Sequence, residues 1–250
     1  MKTHKERAHS KFSASGAERW FNCPGSVELS EGLPDKSSIY AEEGTRAHEV
    51  LEGIMRKMLG LPTEAHLSVA IETAPREMLG HARKAAEFIF GLHQKTEGSQ
   101  CLVETRIYLK KIHPEMFGTF DGAVIDHFGT LHVFDFKYGA GVAVSAYENL
   151  QMIFYAIGLA EEQNWNFKRV RMWIIQPRIK GYDGPTFWEV TAEQLRNYVV
   201  LFELAVKRVE KEPLTLVEGG WCHWCRAKTV CPLKKEARIE KTRNIFGAVS

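Results

Sequence analysis

Apolar residues recur at helical spacing up to about residue 95 and in strand-like alternation from residue 101, and this change of period sets the class of fold open to the chain. In EEGTRAHEVLEGIMRKML, residues 42–59, the positions Ala47, Val50, Leu51, Ile54, Met55 and Met58 predict one amphipathic helix. Pro75 opens a second, which runs to roughly residue 95 and closes at the polar turn KTEGSQ. CLVETRIYL (101–109), GTFDGAVID (118–126) and LHVFDFKYG (131–139) then read as three strands rich in β-branched and aromatic residues. A helix follows over 147–162, then strands over 169–178 and 186–190 with Gly181, Asp183 and Gly184 between them. Thr191 and Gln194 predict the cap of a long last helix reaching about Val209. The order α, βββ, α, ββ, α describes an α/β (α+β) chain with a mixed central β-sheet flanked by helices. Ser15 and Glu18 read as the capping box of a short N-terminal helix that Pro24 ends, with a loop after it.

A chain of 250 residues suits one domain with appendages, here a core of about 41–211 and two ends, 1–40 and 212–250. The 44% hydrophobic and 26% charged residues are those of a globular protein and exclude wholesale disorder. No run approaches the ~18 apolar residues of a membrane span. MKTHKERAHSK is basic with no apolar segment behind it, so a cytoplasmic location is expected rather than secretion. A net charge of +2 leaves nucleic acid open as a partner, because a basic groove can be local.

Asp126-His127-Phe128-Gly129-Thr130 is a short hairpin connection. If residues 127 to 129 form the loop, residue 126 faces 130 and Asp121 falls opposite Asp135. Facing Cβ atoms lie ~4.5–5.5 Å apart, and two carboxylates there call for a cation. Oxygen ligands suit Mg²⁺ or Mn²⁺. Lys137 leaves the strand on the same face as Asp135, where an ammonium can orient a water and offset charge on a phosphoryl group. Asp126 reads as a turn residue. Glu104, one strand earlier, either assists this site or pairs with a surface cation. On residue type and spacing alone, His48 suits the boundary of an ordinary helix, and Gln151 with Tyr155, one turn apart, suits packing.

Cysteines at positions 23, 101, 222, 225 and 231 suggest metal binding more than disulfides. Cys222-x2-Cys225-x5-Cys231 is compact enough for one centre but leaves a position open, for which Cys23 is a natural fourth ligand. His223 or His4 could replace one cysteine, and four thiolates also make a closed zinc site. Cys101, at the start of a strand, reads as a small buried hydrophobe.

GTRAHEVLE, VETRIYL, GTFDGAVID, FDFKYG and QMIFY, in that order over roughly residues 41–160, resemble the PD-(D/E)XK nuclease superfamily and its RecB-like branch. The resemblance implies a restriction-endonuclease-like core and a metal-dependent DNA nuclease, most simply an exonuclease. It implies metal ligation by His48, Asp121, Asp135 and the carbonyl of Phe136, with Lys137 orienting water and Gln151 and Tyr155 near DNA. Two departures lower its specificity: Phe120 stands where the pattern has Pro, and Asp135 where it more often has Glu. The cysteines are similar to those of AddB-type relatives, which implies a [4Fe–4S] cluster, with Zn²⁺ as the alternative, joining the two chain ends. SASGAERWFNCPGS and AEEGTRAHEVLE are also similar to a family of phage-encoded proteins, which implies phage recombination or DNA processing and a phage recombination protein as partner. The rival expectation is a non-catalytic nucleic-acid-binding or recombination accessory protein with a structural metal cluster. Oligomeric state and cleavage polarity are not legible in the sequence.

Overall fold

Five strands make one sheet in sequence order: β1 (Gln100–Tyr108), β2 (Phe117–Ile125), β3 (Thr130–Phe136), β4 (Arg169–Ile175) and β5 (Thr186–Thr191). The computed structural model describes residues 10–34 and 39–235. Neighbours are antiparallel except β3 and β4, which run parallel. A parallel neighbour cannot be reached through a hairpin, and α6 (Leu150–Glu162) provides the crossover. The sheet is therefore mixed and flanked by helices, as expected.

The β2–β3 hairpin has the expected register. Asp126 N–H donates to Thr130 O at 3.0 Å, and pairing continues through Gly122 opposite Phe134. Gly129 takes φ +86°, a conformation that costs a glycine little. Asp126 is a turn residue, its Oδ1 accepting from Thr130 N–H at 2.7 Å.

All seven residues of β3 are buried because both faces of the sheet are covered. On one face lie α3 (Ile39–Met58), α4 (Ala65–Thr73) and α5 (Arg76–Gln94). Val50, Leu51 and Ile54 of α3 and Ala82, Ala86 and Ile89 of α5 pack there with Phe134 and Phe136. On the other face Leu131 and Val133 meet α6, whose residues from Leu150 to Ala160 are all buried except Gln151. The helices α1 (Ala17–Asn22) and α7 (Ala192–Lys211) lie outside α6, joined to it through Trp20 and Phe202. Three departures from expectation are local. Ser13 rather than Ser15 caps the N-terminal turn, its Oγ accepting from Gly16 N–H. The stretch after Pro24 forms α2 (Gly25–Ser30) instead of a loop, and α4 is a separate helix before Pro75. Among the described residues no helix is long and apolar enough to cross a membrane.

Candidate active site

Four elements converge on one end of the sheet. His48 comes from α3, Asp121 from β2, Asp135 and Lys137 from the end of β3, and Gln151 and Tyr155 from the first turns of α6. Asp121 and Asp135 are 9% and 3% exposed, so each needs partners inside the protein. Asp121 Oδ1 lies 2.6 Å from His48 Nδ1, and its Oδ2 accepts from Phe136 N–H at 2.6 Å. That second bond ties β2 to β3 one step beyond their last regular pair. Lys137 Nζ lies 2.8 Å from Asp135 Oδ2 and forms an ion pair with this buried oxygen, which meets no other partner among the described residues. Gln151 joins the parts. Its Oε1 accepts from Lys137 Nζ at 2.8 Å, and its Nε2 donates to Asp135 Oδ1 at 3.2 Å and to Tyr155 Oη at 2.9 Å. The Asn149 side chain caps α6 just ahead of Gln151 and fixes where that amide begins.

The charges act on one another. Burial opposes a charged His48, but the Asp121 carboxylate and its hydrogen bond outweigh that and push the imidazole up to about 9. Burial raises the Asp135 carboxyl, against the pull of the Lys137 ammonium, and the Asp121 charge raises it further. Burial, reinforced by the Asp135 charge, holds the Tyr155 hydroxyl well above its ordinary range. Tyr155 is only 4% exposed, so in this arrangement it supports Gln151 from behind.

The sequence expectation placed a cation between two facing carboxylates. Here protein cations meet them instead, His48 on Asp121 and Lys137 on Asp135. Among the described residues no group of three or more His, Cys, Asp or Glu is arranged to hold a metal ion.

Glu104 falls across from Asp121, between the pairs Val103–Gly122 and Thr105–Phe120, and takes φ +42°. A left-handed conformation costs a non-glycine residue roughly 1–2 kcal/mol. At this point both strands change face. Phe120 and Ala123 pack on the same side although an odd number of residues apart, as do Leu102 and Ile107. The switch lets Asp121 meet α3 while Ala123 meets α6. The Glu104 charge also acts on Tyr155.

Gln176 and Arg178, where the sequence predicts only the end of a strand, lie just past β4. Gln176 is 6% exposed; its Oε1 accepts from Val144 N–H at 2.9 Å, and its Nε2 donates to Gly139 O at 3.0 Å and Val142 O at 2.8 Å. It thus holds the loop that leads from Lys137 to Gln151. Arg178 lies over the Tyr138 ring at 4.6 Å and pairs with Glu43 of α3 at 2.9 Å.

A second group lies at the chain ends. Cys23, Cys222, Cys225 and Cys231 line one cavity of about 20 Å³. Cys23 follows α1 directly, and its Sγ accepts from Val217 N–H at 3.3 Å. His223 stacks edge-on against Trp224 at 4.5 Å and is not in the cavity wall, while His4 lies outside the described residues. Cys101 stands apart in β1 opposite Val124, and burial pushes its thiol up to about 11.

Among solved structures the chain is similar to SSO0001, at 13% identity and a TM-score of 0.39, over 91% of this chain and 89% of that one. It is similar to a candidate exonuclease from Eubacterium rectale at 11% identity and a TM-score of 0.44, over 90% and 93%. A third likeness is to LHK-Exo, an alkaline exonuclease from Laribacter hongkongensis, at 14% identity and a TM-score of 0.34, over 79% and 92%. Residues 9–249 match the family described as "Protein of unknown function (DUF2800)", and the chain belongs to that family.

Proposed function

We propose that this chain is a metal-dependent DNA nuclease of the PD-(D/E)XK type and RecB-like branch, hydrolysing phosphodiester bonds as an exonuclease in phage recombination or DNA processing. The observation that carries the reading is the convergence of His48, Asp121, Asp135, Lys137 and Gln151, from four elements, on two buried carboxylates. Burial and the neighbouring Asp121 charge both raise the Asp135 carboxyl, a cost that a bound cation would relieve. The donors are hard oxygens with one imidazole, a set that fits Mg²⁺ or Mn²⁺. His48, Asp121, Asp135 and the Phe136 carbonyl would hold it, and the bound ion supplies Lewis-acid activation of water and phosphate.

The protein's own groups do the rest. Gln151 keeps the Lys137 ammonium beside Asp135, where it orients the attacking water and offsets charge developing on the phosphoryl oxygens. Tyr155 holds the Gln151 amide in one orientation, so Oε1 faces Lys137 and Nε2 faces Asp135. Glu104 supports this group from β1. The single nuclease domain would run through residues 1–250, with the core at about 41–211.

The four cysteines would hold a [4Fe–4S] cluster, with Zn²⁺ as the alternative, stapling the ends of the chain beside the core. Support comes from the cavity they share and from the soft thiolate donor set, which suits either centre. Internal pairing of His48 with Asp121 and Lys137 with Asp135 favours a second reading, a non-catalytic binding or recombination accessory protein. Cleavage of end-labelled linear DNA by anaerobically purified protein, with Mn²⁺ and with EDTA, decides between them. Mn²⁺-dependent shortening from the ends supports the exonuclease. Salt-sensitive binding without cleavage supports the accessory protein.

A further inference from the structure

On the α5 face of the sheet, behind the face from which Asp135 and Lys137 reach Gln151, a cavity of about 320 Å³ opens between α5, the end of β4 and the turn at 182–185. His81, Lys84 and Phe88 point into it from one face of α5, and Ile175 and Tyr182 close it. None of the described residues in its wall is Asp or Glu; Asp183 adjoins Tyr182 in the turn but is not in the wall. His81 Nδ1 is buried and has no hydrogen-bond partner among the described residues. Buried polar atoms are seldom left so, and an unpaired one calls for a partner from outside the chain. The cavity meets the candidate active site through the backbone at the end of the sheet. Ile175, in its wall, accepts Lys137 N–H through its carbonyl at 2.9 Å. The His81 ring lies 6.0 Å from that of Tyr138, over which Arg178 sits.

An ammonium, an imidazole and a phenol around an acid-free cavity are suited to a phosphate, the group that Lys and His bind most readily through charge-assisted hydrogen bonds. We propose that this cavity is a phosphate-binding subsite for the nucleic-acid strand cleaved at the Asp135–Lys137 site, an inference that rests on the proposed function. Lys84, exposed at the rim, supplies the charge, and His81 and Tyr182 supply hydrogen bonds further in.

The test compares Lys84→Ala with Arg83→Ala. Both remove one exposed cation from α5, but only Lys84 lines the cavity, and neither side chain is in the core. Binding of fluorescein-labelled duplex DNA is followed by anisotropy in EDTA across a salt series. One lost phosphate contact lowers the log–log salt slope by about 0.9, so from ~50 to ~200 mM salt the affinity of Lys84→Ala falls about 3.5-fold less than that of wild type. Arg83→Ala should keep the wild-type slope. Repeating the series with DNA lacking its 5′-phosphate separates the sources. A difference that vanishes assigns the subsite to the strand end, and one that persists assigns it to an internal phosphate. Identical slopes for Lys84→Ala and wild type, or for the two variants, overturn the subsite. If wild type binds DNA and cleaves it, the proposed function survives that result; if it binds no DNA, both readings fall.

Discussion

Replacing Gln176 by Ala removes the clamp on the loop between Lys137 and Gln151. Three hydrogen bonds, of 2.8, 2.9 and 3.0 Å, are lost together. At a net value of about 1 kcal/mol each, the loss is about 3 kcal/mol. The loop is partly wet, with Val142 55% exposed, so freed backbone groups reach water and the expected figure falls to about 2 kcal/mol. Gln176→Glu makes a sharper case. It keeps an acceptor for Val144 N–H but sets a carboxylate oxygen against the carbonyls of Gly139 and Val142, and it buries a charge. The Glu variant should therefore be less stable than the Ala variant although it is closer in shape to Gln. Equilibrium urea unfolding of the three metal-free proteins reads this directly. A Glu variant as stable as wild type, or an Ala variant within ~0.5 kcal/mol of it, would refute the clamp.

Other predictions concern α6, the histidine and the cysteines. A Cβ added at Gly158 would lie 2.2 Å from Ile107 Cδ1, so Gly158→Ala should force α6 off β1 at a cost of about 1–3 kcal/mol, checked by thermal unfolding. Displacing α6 also moves Gln151, so the same variant should cleave DNA more slowly than wild type. His48 titrates at about 9 without metal, yet a metal ligand must be neutral. Mn²⁺ binding between about pH 7 and 8 should thus release a proton and tighten with rising pH until about 9, which calorimetry in buffers of different ionisation enthalpy would register. The sign for stability is the reverse: a raised histidine pKa favours the metal-free fold below about 6.5, and that contribution is lost as pH rises through about 9. Protein purified anaerobically should contain iron and sulfide in equal amounts and lose them in Cys23→Ser; one zinc and no iron would instead select the closed zinc site.

Much of this architecture is legible in the sequence because period and turn chemistry act locally. Thr191 and Gln194 form their capping box, and Asp126 to Thr130 sets the register that aligns β2 with β3. What could not be read depends on partners distant in sequence. Ser13 and Ser15 offer the same hydroxyl, and only the path of the chain decides which caps the turn. Pro24 is compatible with the start of a helix as well as with the end of one, which hid α2. The partners of Asp121 and Asp135 were expected to be a cation from outside, since the pairing of His48 and Lys137 with them exists only after α3 and β3 meet. The change of face at Glu104 leaves no trace in the alternation of β1, because a glutamate at positive φ has the same letter as any other. Gln176 gave no signal either, its three bonds all running to backbone that is 32 to 37 residues earlier in the chain.

The central claim is that the buried carboxylate at position 135 serves phosphodiester hydrolysis. Asp135→Asn keeps the shape of the side chain and removes its charge, so it tests that claim with little disturbance of the fold. Single-turnover cleavage of end-labelled DNA in Mn²⁺ should be slower by about a thousandfold or more in this variant, while DNA binding in EDTA is unchanged. Cleavage at the wild-type rate by Asp135→Asn, or none by wild type that holds DNA tightly, would contradict it.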